Sequence, residues 1–237
     1  MHAASLTIAR RFNGPPNSAN GGYVCGCAAR FLGGAAEVSL RSPPPLDTAL
    51  DLVRDAAGVR IRAGQRDIAE AHAATPDVAA PAAPSLDDAH AAAARYVGFE
   101  RHGFPGCFVC GPARAEGDGL RIFTGPWREG VVAGTWTPTA DLAAPDGRVG
   151  EEFVWAALDC PTYWGLPGAG SLIALLARMT AAIDMRPMPG ETCIVAGWAL
   201  GSSGRKHRGA AALYSSSGAL YARAEALWID INPGDEE

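Results

Sequence analysis

The chain has 237 residues and a net charge of −5, and 48% of its residues are hydrophobic while 19% are charged. This length suits one large or two small domains, and the composition is that of an ordinary globular protein. The acidic balance argues against a nucleic-acid partner, because such binding needs a surplus of Lys and Arg on one face. No apolar run approaches the roughly 20 residues of a membrane span, and the start carries no signal-peptide core. We therefore expect a cytoplasmic protein with no membrane partner, in which all six cysteines are reduced thiols.

The first half of the chain predicts one central helix followed by four strands. A helix is expected over residues 20–32, where Tyr23, Cys27 and Phe31 recur at every fourth position and form one apolar stripe. The pair Gly33-Gly34 is typical of a helix C-terminus. Strands are then predicted at residues 36–41, 46–54, 59–63 and 67–74.

A proline- and alanine-rich segment interrupts this pattern. Its prolines remove backbone donors, which excludes a strand or helix interior before Ser85. Ser85 itself is a good N-cap for a short helix through the alanines that follow. The sequence therefore predicts a linker at residues 76–94, exposed and poorly ordered as far as residue 90. It joins an N-terminal unit at 1–75 to a C-terminal unit at 95–237.

The second half predicts a similar order of elements. Strands are expected at residues 119–124, 130–137, 171–185, 192–200, 210–215 and 219–231. A turn is predicted at Gly125-Pro126, and a helix at residues 149–164 that Pro161 should end or kink. One central helix with about four long antiparallel strands in each half is an α+β layout.

Short segments of the two halves also repeat. The sequence around Arg41 resembles that around Arg186, and the one around Glu70 resembles that around Glu225. The distance along the chain between the repeated segments exceeds the roughly 20–50 residues of a solenoid unit. It indicates a duplicated domain, and a duplicated domain creates a site between its halves.

These motifs resemble those of hotdog-fold thioesterases. Phe12-Asn-Gly-Pro-Pro, Asn20-Gly-Gly-Tyr and Ser39-Leu-Arg-Ser-Pro-Pro are similar to the first half of the bacterial type II acyl-CoA thioesterases. Cys107-Phe-Val-Cys-Gly-Pro, followed by Gly119-Leu-Arg-Ile, resembles the phenylacetyl-CoA type. The resemblance implies a tandem double hotdog, in which each half is a long central helix wrapped by a curled antiparallel sheet. It also implies an acyl-CoA substrate, no cofactor and a homo-oligomer.

The resemblance assigns a catalytic acid to the second half. Val149-Gly-Glu-Glu stands where the phenylacetyl-CoA type has Val-His-Gly-Gly. In that type the catalytic carboxylate lies seven positions after the second glycine. The same count from Glu152 leads to Asp159, which therefore matches the catalytic carboxylate. In the first half Asn20-Gly-Gly keeps the glycines, but Ala29 occupies the acid position. One half thus has an intact turn without an acid, and the other has an acid with an altered turn.

The expected chemistry is attack of water on a thioester carbonyl. The backbone N–H groups of Gly21, Gly22 and Tyr23, at the helix start beside Asn20, are the predicted donors to the substrate oxygen. Asp159 is the predicted general base, and the alternative is a structural acid bonded to nearby backbone or to an arginine.

Two further positions bear on whether hydrolysis takes place. Double-hotdog thioesterases hold the attacking water with a Thr and a Gln, whose positions here fall near Ala177 and Ala226. Neither side chain can form a hydrogen bond, although Thr180 or Glu225 could substitute if the register differs. The alternative function is therefore a non-catalytic acyl-ligand binding or assembly protein. A hotdog dehydratase is a third choice, but neither predicted helix contains the histidine that it needs.

The cysteines near residue 107 are candidate metal ligands. Cys107 and Cys110, with His102 nearby, could supply three zinc ligands, but no second Cys-x-x-Cys or matching His pair accompanies them. Cys160 fits a buried core position. The sequence alone therefore predicts no metal at these residues.

Overall fold

The computed structural model describes residues 2–231, so Met1 and the end of the predicted C-terminal unit, residues 232–237, lie outside the described residues. Within that range the chain forms eleven strands and three α-helices. The helices are α1 (Gly21–Ala29), α2 (Leu86–Ala93) and α3 (Glu151–Trp164). The strands are β1 (His2–Thr7), β2 (Ala36–Leu40), β3 (Ala49–Asp55), β4 (Gly58–Ala63), β5 (Arg66–Ala73), β6 (Gly125–Arg128), β7 (Val131–Trp136), β8 (Ala174–Ile183), β9 (Cys193–Ser203), β10 (Lys206–Ser215) and β11 (Leu220–Asp230).

All eleven strands belong to one antiparallel sheet. Their order across it is β1-β3-β4-β5-β2-β8-β11-β10-β9-β7-β6. The strands of the first half therefore occupy one side of the sheet, and those of the second half occupy the other. β2 and β8 join the two sides, with Ala36 opposite Ala181 and Ser39 opposite Arg178. The predicted α+β class, with a large antiparallel sheet and few helices, is confirmed.

The helices α1 and α3 pack side by side on one face of this sheet. α1 contacts α3, β2 and β5, while α3 also contacts β9, β10 and β11. Every residue of α1 after Gly21 is buried, so the helix is enclosed on all sides rather than along the single predicted stripe. This enclosure follows from its position between the sheet and α3. None of the helices among residues 2–231 has the length and apolar character needed to cross a membrane.

The segment predicted as a linker packs on the opposite face of the sheet. Ser85 accepts a hydrogen bond from the backbone N–H of Asp88, as predicted for an N-cap, and α2 begins at the next residue. Ala89 and Ala92 are fully buried, and Ala89 packs with Ile194 and other residues of β9 and β10. The prediction that this segment is exposed and poorly ordered is therefore wrong for α2, because its small alanine face fits closely against the strands.

The strands differ from prediction mainly at the start of the second half. Residues 119–124 form no strand, and Gly125-Pro126 begins β6 instead of a turn. Leu120 and Ile122 are nevertheless buried, and their backbone N–H groups donate to the carbonyls of Phe108 and Val109 in the preceding loop. α3 continues through Pro161 to Trp164, the residue at which the helix was predicted to end, so Pro161 does not end it. A kink at Pro161 stays a prediction.

Candidate active site

α1 and α3 approach each other unusually closely at two glycines. A Cβ atom on Gly22 would lie 2.4 Å from the Cβ of Asp159, and one on Gly26 would lie 2.5 Å from the Cα of Glu152. Real Cβ atoms do not come this close to their neighbours, so only glycine permits the contact. The contact brings the side chain of Asp159 against the first turn of α1.

Asp159 forms its hydrogen bonds to the start of α1. Its Oδ2 accepts from the Nδ2 of Asn20 at 2.8 Å and from the backbone N–H of Gly22 at 2.9 Å. The Oδ1 of Asn20 in turn accepts from the backbone N–H of Tyr23 at 2.9 Å, which makes Asn20 the N-cap of α1. Asp159 is 1% exposed, and its Oδ1 has no hydrogen-bond partner within residues 2–231. The carboxyl thus has one oxygen held by the protein and one oxygen free.

The environment of Asp159 disfavours its charge. Burial raises the pKa of this carboxyl to about 7, and the negative charge of a Cys107 thiolate would raise it too. The hydrogen bonds from Gly22 and Asn20 act in the opposite direction, because they stabilise the carboxylate. A carboxyl in this range can take up and release a proton near neutral pH.

Two of the three predicted backbone donors are already used within the protein. The N–H of Gly22 donates to Asp159, and the N–H of Tyr23 donates to Asn20. Among residues 2–231 nothing accepts from the N–H of Gly21, and Gly21 borders a cavity. The first turn of α1 therefore offers one N–H to a ligand at the positive end of its helix dipole.

This cavity has a volume of about 480 Å³ and takes its walls from both halves of the chain. Asn20, Gly21 and Asp159 line one part of it. Most of the remaining wall is apolar and comes from Leu40, Leu172, Ile173, Leu175, Leu176 and Trp228. Arg41 also borders the cavity, where its half-exposed side chain pairs with Glu70 at 2.6 Å. The space suits an apolar chain whose polar end meets Asp159 and the start of α1.

Ala177 and Ala226, the two positions that the resemblance matched to water-holding residues, lie in different surroundings. Ala177 lines the cavity, whereas Ala226 is buried within β11. Thr180 donates to Glu37 at 3.2 Å, and Glu225 pairs with Arg208 at 2.8 Å. Neither of these two possible substitutes lines the cavity. Of the aromatic residues on α3, Tyr163 and Trp164 line it, while Trp155 lies in the core.

Four residues with metal-binding chemistry also border the cavity. Cys107, Cys110 and Cys160 are buried, and their three Sγ atoms lie within 4.8 Å of one another. The Nε2 of His102 lies 3.3 Å from the Sγ of Cys110. Spacing along the chain links Cys107 to Cys110, but only the fold brings Cys160 of α3 beside them.

The start of α3 differs from the start of α1. Gly150 occupies the N-cap position and offers no side chain to the helix. Glu152 pairs with Arg30 at 3.2 Å. The neighbouring space holds a cluster of stacked and tilted aromatic rings from Phe12, Tyr23, Phe108 and Phe153.

The chain shares its fold with proteins of the thioesterase superfamily. A tesB protein of Mycobacterium avium subspecies paratuberculosis is similar in structure, with a TM-score of 0.61 and 15% identity over 97% of this chain and 93% of that one. A provisionally assigned thioesterase II of Thermobifida fusca is similar with a TM-score of 0.60 and 16% identity over 98% and 93%.

A provisionally assigned oleoyl thioesterase of Lactobacillus plantarum has a TM-score of 0.59 and 9% identity over 98% and 96%. No protein-family model matches the sequence, and no curated protein matches it. At these identities the likeness shows the fold alone. The resemblance to hotdog-fold thioesterases that the motifs predicted is confirmed at that level.

Proposed function

We propose that the protein hydrolyses an acyl thioester, with acyl-CoA as the substrate class. In this proposal residues 1–75 and 95–237 are two hotdog units, residues 76–94 are the linker, and the reaction takes place in the cavity between the units. Asp159 is the general base. The first turn of α1 binds the reacting group, and Asn20 holds the base in place.

The chemistry needs a polarised carbonyl and an activated water. The thioester oxygen accepts from the N–H of Gly21, where the dipole of α1 favours developing negative charge. The Oδ1 of Asp159 accepts a proton from a water, whose oxygen attacks the carbonyl carbon. The tetrahedral intermediate then collapses, the C–S bond breaks, and Asp159 returns the proton to the departing thiolate. Asn20 and Gly22 orient the carboxyl by holding its other oxygen.

The observation that carries this proposal is the position of Asp159. It is a buried carboxyl that crosses from α3 to the start of α1 and borders an apolar cavity. A carboxyl whose only role was to cap α1 would not need a cavity of about 480 Å³ beside it. An apolar wall next to a single acid suits a substrate with a fatty or aromatic acyl group.

The direct test is release of free thiol from a panel of short, long and aromatic acyl-CoAs. Asp159→Asn serves as the matched control, because the amide can accept the same two hydrogen bonds but cannot act as a base. Hydrolysis by the wild type that disappears in this variant supports the proposal. An inactive wild type, or a variant as fast as the wild type, contradicts it.

A second function is favoured by one specific observation. Ala177 borders the cavity where a water-holding side chain is expected, and Thr180 and Glu225 point to other partners. A protein with this site could bind an acyl ligand without cleaving it. Calorimetry with a non-hydrolysable acyl-CoA thioether separates the two functions, since binding with no turnover of any thioester favours the binding protein.

A further inference from the structure

We propose that Cys107, Cys110 and Cys160 bind a thiophilic divalent cation of the Zn²⁺ class, as a three-thiolate site beside the cavity. This proposal is independent of thioester hydrolysis. It replaces the expectation from the sequence that these residues bind no metal.

The spacing of the Cys107 and Cys160 sulfurs fits a tetrahedral ion. Zn–S bonds of about 2.3 Å place two thiolates of a tetrahedral site about 3.8 Å apart. The Sγ atoms of Cys107 and Cys160 are 3.8 Å apart, and that of Cys110 lies within 4.8 Å of both. Thiolate sulfurs are the ligands that select zinc over the harder divalent cations.

The turn that carries Cys107 and Cys110 is shaped to direct both sulfurs to one side. The backbone N–H of Gly111 donates to the carbonyl of Cys107 at 2.9 Å and closes the turn. A Cβ on Gly111 would lie 2.5 Å from the backbone N and O of Cys107, so only glycine fits after Cys110.

His102 supplies a further donor at the edge of the cluster. Its Nδ1 accepts from the backbone N–H of Phe104 at 3.0 Å, which leaves the proton of the neutral ring on Nε2. The Nε2 lies 3.3 Å from the Sγ of Cys110 and 3.2 Å from its carbonyl oxygen. We therefore assign His102 to hydrogen bonding outside the coordination shell, a role that orients a ligand sulfur.

The site would connect three parts of the molecule. Cys160 belongs to α3 and directly follows Asp159, while Cys107 and Cys110 belong to a loop before β6. The Nδ2 of Asn20 lies 4.0 Å from the Sγ of Cys107. An ion held by these three thiolates would fix the loop to α3, with its fourth position supplied from the cavity that all three cysteines border.

Metal content of the full-length protein tests the proposal. Protein purified under reducing conditions is analysed by elemental analysis, as isolated and after incubation with Zn²⁺ and removal of excess metal. We expect one Zn²⁺ per chain, lost in Cys107→Ser, Cys110→Ser and Cys160→Ser. Cys193→Ser is the matched control, since Cys193 is also a buried thiol but lies outside the cluster, and it should keep the metal.

Titration of the metal-free wild type with Co²⁺ keeps the test independent of whether the variants fold. We expect the intense absorption of tetrahedral Co²⁺ with thiolate charge transfer, and its displacement by Zn²⁺. His102→Gln should keep the metal. A wild type that takes up neither ion, a metal retained by all three cysteine variants, or a Cys107–Cys160 disulfide in the reduced preparation would overturn the proposal. Loss of metal in His102→Gln would overturn the three-thiolate assignment.

Discussion

The two helix starts differ in what fills the space around them. At the start of α1 Asn20 caps the helix and Asp159 accepts from the backbone N–H of Gly22, while the N–H of Gly21 has no acceptor within residues 2–231. At the start of α3 Gly150 provides no cap, and Glu152 pairs with Arg30 beside packed aromatic rings. Within residues 2–231 the cavity of about 480 Å³ borders the start of α1, and no residue at the start of α3 lines it, so the proposed site lies at one helix start.

The direction of the helices explains why one site needs both halves. Gly22 contacts Asp159 and the later Gly26 contacts the earlier Glu152, so α1 and α3 run in opposite directions where they touch. Each helix start therefore faces the later part of the other helix. Ala29 offers only a methyl group late in α1, whereas Asp159 offers a carboxyl late in α3.

The largest expected effect comes from removing the base at the first site. Asp159→Asn should lower kcat by about 10²–10⁴-fold, the usual contribution of general acid–base catalysis, with little change in KM. Steady-state kinetics on the best substrate of the acyl-CoA panel measure this, and circular dichroism checks that the fold is retained. A variant with a raised KM and an unchanged kcat would assign Asp159 to substrate binding instead.

Gly22 and Gly26 allow the two ends of the contact between α1 and α3 to be compared. Gly22→Ala and Gly26→Ala both insert a methyl group into a contact shorter than 3 Å, and overpacking of this kind costs about 1–3 kcal/mol. Chemical denaturation should show a similar loss of stability in both variants. Turnover should fall mainly in Gly22→Ala, which displaces Asp159. Equal loss of turnover in Gly26→Ala would break the distinction between the two ends of the contact.

Asn20 separates helix capping from orientation of the acid. Asn20→Ala removes both the N-cap and the amide donor to Asp159, and loss of an N-cap costs about 0.5–2 kcal/mol. Asn20→Ser restores a cap but not the amide, so it should recover the capping part of the stability without recovering turnover. Denaturation and kcat measured on both variants test this. Wild-type turnover in Asn20→Ser would mean that the amide does not orient Asp159.

The periodicity of the sequence predicted most of the framework. The strands at residues 36–41 and 59–63 and the helix at 149–164 lie close to β2, β4 and α3, because their burial follows local periodicity. β1 has no such signal and takes its place by pairing with β3. The strand predicted at residues 119–124 fails because the backbone N–H groups of Leu120 and Ile122 donate to a loop rather than to a neighbouring strand.

The candidate site was predicted in part. The motif placed Asp159 and the Asn20 turn in the same reaction, although their hydrogen bonds depend on a helix contact that no local pattern reveals. The use of the Gly22 N–H by Asp159 was missed for the same reason. The sequence places Cys160 in the core, and only the tertiary fold brings it to the Cys107 turn. Pairings between distant segments are what the sequence alone leaves undetermined.

The smallest expected effect tests the second helix start directly. Glu152→Gln keeps the shape of the side chain but removes the charge that pairs with Arg30 at 3.2 Å. The Arg30 side chain is 41% exposed, and pairs of this kind contribute about 0–1 kcal/mol. We expect a stability change within this range by denaturation, and kcat equal to that of the wild type. A fall in kcat comparable to that of Asp159→Asn would mean that the start of α3 also takes part in turnover. The difference between the two helix starts would then be one of packing and not of function.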